Sequence, residues 1–68
     1  MAKFVIYRDV AGHYRWRLVA NNGEKVAASE AYVSKQGAQN SAQRVKILAA
    51  SATIVDNTAE LVRRLLNR

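Results

Sequence analysis

A chain of 68 residues without a single cysteine has to stabilise a small core without disulfide bonds. His13 is the only histidine, so neither thiolates nor a histidine cluster can hold a structural metal ion. A domain of this size buries only about 60% of the surface that its unfolded chain exposes. Small domains usually add a disulfide, a metal ion or a partner chain, and only the partner chain is left here. We therefore expect a homodimer.

The charge and the apolar pattern of the chain limit its class. The 11 Lys or Arg residues exceed the 5 Asp or Glu residues and set a formal net charge of +6 at pH 7. The larger apolar residues form short runs, far below the roughly 18 consecutive residues of a membrane-spanning helix. The N-terminal apolar run ends at Arg8, which does not fit a signal peptide. We expect a cytoplasmic protein with no membrane segment and no metal ion.

Three β-strands are predicted in the first half of the chain. Residues 4–7 are rich in β-branched and aromatic side chains, and residues 13–19 alternate between apolar and basic side chains. Asp9 and Gly12 favour a turn between these strands. Asn22-Gly23 favours a tight hairpin before a third strand at residues 25–29, because both positions tolerate positive φ. The pattern predicts a three-stranded antiparallel meander.

The predicted register pairs Ile6 with Trp16 and Phe4 with Leu18, because this pairing gathers the four apolar side chains on one face. A slip of one residue would set Phe4 and Ile6 against the arginines of the second strand. In the preferred register, the opposite face carries Val5, Tyr7, Arg15 and Arg17.

A helix is predicted after Ser34, whose hydroxyl suits an N-cap, and it extends over residues 35–50 with an alanine-rich apolar stripe. Residues 53–56 form a short β-type run, and residues 58–68 have the pattern of an amphipathic helix. The fold class is α+β, with the order β-β-β-α-β plus an extra C-terminal helix. The predicted core consists of Phe4, Ile6, Trp16, Leu18, Ala42 and Val45.

Several of these segments together resemble one bacterial family. Residues 14–18, Asn22-Gly23, Ser29-Glu30, Tyr32 and Ser34-Lys35 stand in the order and spacing of the YegP-like family, also called DUF1508 or UPF0339. The resemblance covers residues 2–58 and implies one β-β-β-α-β unit at residues 1–57, followed by the appended helix at residues 58–68. It also implies that two units share one sheet and exchange C-terminal strands, so that residues 53–56 would cross to a partner.

The family has no established activity that the resemblance could carry over. Val5 stands where the family commonly has an acidic residue, and this removes a potential ion-pair partner of Arg15 or Arg17. The appended helix at residues 58–68 is a second departure, because the family unit often ends soon after its last strand.

The residues offer no arrangement typical of catalysis. The five acidic residues lie near predicted turns or the ends of elements, and the serines have no base other than His13. The glycines form no phosphate-binding loop. We expect no enzymatic activity and no cofactor.

Two binding functions stay open. The first is a homodimeric binding or scaffold module, in which the last helix offers Leu61, Leu65 and Leu66 to a partner protein. The alternative is binding of nucleic acid, or of another polyanion such as an acidic protein, at the sheet face that carries Tyr7, Arg15 and Arg17, joined by Lys3. A charged sheet face is also commonly just a solvated face.

Overall fold

The computed structural model describes residues 1–59 and Leu65. Strands β1 (Lys3–Arg8), β2 (Tyr14–Val19) and β3 (Lys25–Ala28) form an antiparallel sheet in the order β1-β2-β3. Helix α1 (Lys35–Ser51) follows and packs mainly on β2 and β1. The predicted α+β meander with a following helix is confirmed.

Both predicted turns are stabilised by a side chain of the turn itself. The Asp9 carboxylate accepts hydrogen bonds from the backbone N–H groups of Ala11 (3.0 Å) and His13 (2.9 Å), and Gly12 adopts a positive φ of 84°. In the second turn, the Asn22 side-chain oxygen accepts from the Glu24 N–H at 3.0 Å. These local bonds determine where each hairpin turns and therefore how its strands align.

The predicted register of β1 and β2 is confirmed. Phe4 lies opposite Leu18 and Ile6 lies opposite Trp16, and all four side chains lie on the face that α1 covers. The Phe4 and Trp16 rings meet edge to face, with centroids 5.1 Å apart and planes inclined by 73°. Such aromatic pairs contribute roughly 0.5–1.5 kcal/mol beyond the area that they bury.

Helix α1 begins where the sequence predicts. Ser34 has an extended backbone, and its Oγ accepts from the Gly37 N–H at 3.0 Å. Ala38 is fully buried and Ala42 nearly so, because these short side chains let the helix axis approach the sheet closely.

The core is smaller than the sequence suggests. Within residues 1–59, only Trp16, Ala38 and Ala42 are buried apolar side chains, and Trp16 is 5% exposed. The other predicted core residues, which are Phe4, Ile6, Leu18 and Val45, are only half-buried. The reason is geometric: one helix with an alanine stripe covers β2 well but leaves the flank of β1 uncovered.

The predicted strand at residues 53–56 is not a strand in this chain. These residues pair with no strand of the described sheet, and Ile54 is 100% exposed and Val55 73% exposed. A β-rich sequence becomes a strand only when another strand satisfies its backbone groups, and residues 53–56 do not reach either edge of the sheet in their own chain. Residues 60–64 and 66–68 of the predicted last helix lie outside the described residues.

Candidate functional site

The face of the sheet opposite α1 carries most of the predicted binding residues. The register pairs Val5 with Arg17 and Tyr7 with Arg15, so these four side chains lie together on this side. We call it the open face. Its members, read from the pairing of the three strands, are Lys3, Val5, Tyr7, Arg15, Arg17, Val19, Lys25 and Ala28.

Arg17 and Tyr7 form the centre of the open face. The Arg17 guanidinium carbon lies 4.8 Å from the centroid of the Tyr7 ring, within the range of a cation–π contact. Arg17 is exposed and Tyr7 is half-buried. The ring therefore holds the guanidinium at the surface, where its hydrogen-bond donors face solvent.

Arg15 is engaged differently, because it forms an ion pair with Asp9. The Arg15 Nε donates to the Asp9 carboxylate at 2.7 Å, and the two side chains are 38% and 15% exposed respectively. The Arg15 guanidinium, with the backbone N–H groups of His13 and Ala11, holds the pKa of the Asp9 carboxyl below its usual range. Asp9 in turn raises the pKa of Arg15. Arg15 thus holds the first hairpin, and its charge is locally compensated.

Lys25 joins the open face, although sequence reasoning did not select it. A bulge between Leu18 and Val19 sets Val19 opposite Lys25, while Lys3 lies opposite Val19 from the other side. The two lysines therefore flank one valine across the sheet. Over the part of the chain that the structure describes, neither lysine forms an ion pair. Lys25 lies opposite Val19, on the open face, only because of this bulge; without it, Val26 would lie opposite Val19.

A groove of about 410 Å³ runs between β1 and α1. Phe4, Ile6 and Ala42 form its apolar side, and Lys3 and Lys46 lie at its border. Because β1 is an edge strand, it presents unpaired backbone N–H and C=O groups along this groove.

The predicted partner surface on the last helix lies mostly outside the described residues. Leu61 and Leu66 belong to the part that is not described, and Leu65 is 58% exposed. Ile47 and Leu48 near the end of α1 are also exposed, by 61% and 55%. These residues are apolar surface additional to the groove.

The remaining polar side chains stabilise the fold. Ser29 Oγ accepts from the Trp16 N–H at 2.9 Å, and Ser41 Oγ accepts from the Trp16 indole N–H at 2.9 Å and from the Tyr32 hydroxyl at 2.7 Å. Among residues 1–59 and Leu65, no group of three His, Cys, Asp or Glu side chains comes together. No helix in the described part has both the length and the hydropathy to cross a membrane.

The comparisons with known proteins agree with the architecture. The family model described as "Domain of unknown function (DUF1508)" matches residues 9–56. The UPF0339 protein Atu0232 of Agrobacterium fabrum is 45% identical over 58 residues, which cover 85% of this chain and 94% of the relative.

Two solution NMR structures have the same fold. A protein from Haloferax volcanii is 41% identical with a TM-score of 0.71, over 81% of this chain and 93% of that one. Protein ATU0232 of Agrobacterium tumefaciens is 43% identical with a TM-score of 0.70, over 88% of this chain and 97% of that one. The resemblance predicted from the sequence is confirmed: the chain belongs to the DUF1508 family, also named UPF0339, whose function is unknown.

Proposed function

We propose that this protein is a non-enzymatic homodimeric module in which residues 53–56 of each chain pair with the free edge of β1 in the other chain. The observation that carries the proposal is the coexistence of an open apolar groove beside β1 and an exposed apolar segment in the same chain. A chain with three buried apolar side chains among its described residues is also short of core, and a second chain would supply more.

The segment and the groove are complementary in chemistry. Neighbouring side chains of a strand point to opposite faces, so one of Ile54 and Val55 would contact Phe4 and Ile6, and the other would contact Val5 on the open face. Asp56 is opposite in charge to Lys46 at the border of the groove. The backbone groups along the edge of β1 would gain hydrogen-bond partners.

The apolar surface that this exchange buries favours a dimer. Full burial of an Ile or Val side chain contributes about 1.5–3 kcal/mol, so two such side chains in each of two chains contribute roughly 6–12 kcal/mol. A dissociation constant of about 1 μM corresponds to a net binding free energy of about 8 kcal/mol, so apolar burial and the backbone hydrogen bonds along β1 together have to exceed the ordering costs by that amount. We expect a dimer at micromolar concentrations.

Static light scattering across the micromolar range tests the proposal. The wild type should have twice the mass of one chain, and Ile54→Asp should shift the mass to that of a monomer. Val10→Asp is the matched control, because Val10 is equally exposed, at the first hairpin turn. A monomer mass for the wild type, or an equal effect of both substitutions, would contradict the exchange.

A second candidate function is binding of a polyanion at the open face. The contact between Arg17 and Tyr7 favours it, together with the two lysines that flank Val19. The net charge of +6 adds a long-range attraction for anionic chains. Of the four residues predicted from the sequence, Lys3, Tyr7 and Arg17 support this function most, because Asp9 compensates Arg15.

Binding to labelled heparin, followed by anisotropy as salt is raised, tests this second function. The variant Arg17→Gln with Lys25→Gln should lose affinity. The control Lys35→Gln with Arg44→Gln lowers the net charge equally, at two exposed residues of α1, and should bind like the wild type. Equal losses in both variants would mean that only the overall charge attracts the polyanion.

A further inference from the structure

We infer that the ligand of the open face is single-stranded nucleic acid, with a base stacked at the Tyr7–Arg17 pair and phosphates at Lys3 and Lys25. This inference rests on the second candidate function, polyanion binding, and names its ligand. It does not depend on dimerisation, because each chain carries a complete open face.

The Tyr7–Arg17 pair favours a ligand that has nucleobases over a ligand that has only negative charge. Aromatic rings and guanidinium planes both stack on nucleobases, and the two are already in contact here at 4.8 Å. Tyr7 holds the exposed Arg17 side chain against its ring, so less of its freedom is lost when a base arrives. A ligand with charge but no ring, such as an acidic peptide, would gain nothing from Tyr7.

Lys3 and Lys25 lie where they could contact the phosphate backbone of a nucleic acid whose base is stacked at the Tyr7–Arg17 pair. Lys3 and Lys25 lie two strands apart, or about 10 Å, since neighbouring strands are about 4.8 Å apart. Their row is one pleat repeat from Arg17, which is about 6.6 Å along the strand. Lys3 and Lys25, on either side of Val19, can therefore contact different phosphates of the same nucleic-acid strand.

The shape of the face favours a single strand over a duplex. Proteins that read duplex DNA commonly insert a helix or a two-stranded ribbon into the major groove. The open face consists of side chains on three paired strands, and α1 lies on the opposite side of the sheet. In a duplex the base faces are stacked on each other, whereas a single strand can turn a base onto Tyr7.

The decisive experiment compares three labelled probes of about 15 nucleotides by anisotropy: oligo(dT), an abasic strand with the same phosphates, and a duplex. Stacking of one base is worth roughly 5- to 150-fold in affinity, so oligo(dT) should bind at least about fivefold more tightly than the abasic strand. With three cations engaged, the logarithm of affinity should fall with the logarithm of salt with a slope of about −2.

Tyr7→Leu should lower the affinity for oligo(dT) to that of the abasic strand and leave the salt slope unchanged. Tyr14→Leu is the matched control, because Tyr14 forms a second arginine–tyrosine contact, with Arg8 at 5.4 Å, on the helix side of the sheet. It should keep the preference for oligo(dT). Circular dichroism of both variants confirms that they are folded.

Four results would overturn the inference. Equal affinity for oligo(dT) and the abasic strand, with heparin still bound, would leave a polyanion site without base stacking. Absence of binding to all probes and to heparin would end the second candidate function as well. Tighter binding of the duplex would place the ligand elsewhere. Binding of an oligo-glutamate peptide as tight as that of oligo(dT) would make an acidic protein segment the partner.

Discussion

Ser41 joins the helix to the sheet through a single oxygen atom, and its removal is the sharpest test of how this small domain is held together. Its Oγ accepts from the Trp16 indole N–H at 2.9 Å and from the Tyr32 hydroxyl at 2.7 Å. Trp16 is only 5% exposed, so its N–H has little access to water when the acceptor is gone. Ser41→Ala therefore leaves two donors without their partner.

The expected loss of stability follows from these two donors. An unsatisfied buried donor costs about 1–3 kcal/mol, and the half-buried Tyr32 hydroxyl, which can turn towards water, adds up to about 1 kcal/mol. The higher helix propensity of alanine offsets roughly 0.5 kcal/mol of this loss of stability. The net loss is then about 0.5–3.5 kcal/mol, against a total of roughly 3–10 kcal/mol for a domain of this length. Each kcal/mol corresponds to about 4–8 °C in the melting temperature.

Urea unfolding followed by circular dichroism at one fixed protein concentration measures this loss. Ser51→Ala is the control, because Ser51 is an exposed serine at the end of the same helix. A double-mutant cycle of Ser41→Ala with Trp16→Phe should give a coupling of about 1 kcal/mol, since the two residues are in contact. If Ser41→Ala unfolds within about 0.5 kcal/mol of Ser51→Ala, the hydroxyl does not anchor the helix and the reasoning is wrong.

Three further predictions concern the first hairpin and the contact between helix and sheet. Because Arg15 lowers the folded-state pKa of Asp9 below its unfolded value of about 3.9, the Asp9 contribution to stability is complete above that pH and is lost as pH falls through the folded-state pKa. The urea midpoint of Asp9→Asn should therefore change less than that of the wild type between pH 6 and pH 2, and parallel curves would refute this. Gly12→Ala should cost about 1–2 kcal/mol in urea unfolding, because φ is 84° there, and a neutral effect would mean that the turn rearranges. Ala38→Leu should cost about 1–3 kcal/mol by overpacking a fully buried site, whereas the exposed Ala49→Leu should change stability little.

Features that depend on neighbouring residues in the chain were predictable from the sequence. The two turns, the N-cap at Ser34 and the boundaries of the first three strands follow from residues a few positions apart. The register of β1 and β2 was also predictable, because a slip of one residue would set Phe4 and Ile6 against the arginines of β2, and the turn at residues 9–12 limits larger shifts. These elements place Tyr7, Arg15 and Arg17 on one face before any tertiary contact is known.

The tertiary structure decided which of those side chains are available and what joins them. Asp9 lies in a turn, and only the folded hairpin brings its carboxylate to Arg15 and compensates that charge. Lys25 reaches the open face because a bulge shifts the pairing of β3, and a bulge has no fixed signature in a single sequence. Residues 53–56 also depend on tertiary pairing. Their sequence is typical of a strand, but a strand exists only where a second backbone completes its hydrogen bonds. The local sequence thus determined where the strands, turns and helix lie along the chain, and the pairing of distant segments determined which side chains are neighbours and which are exposed.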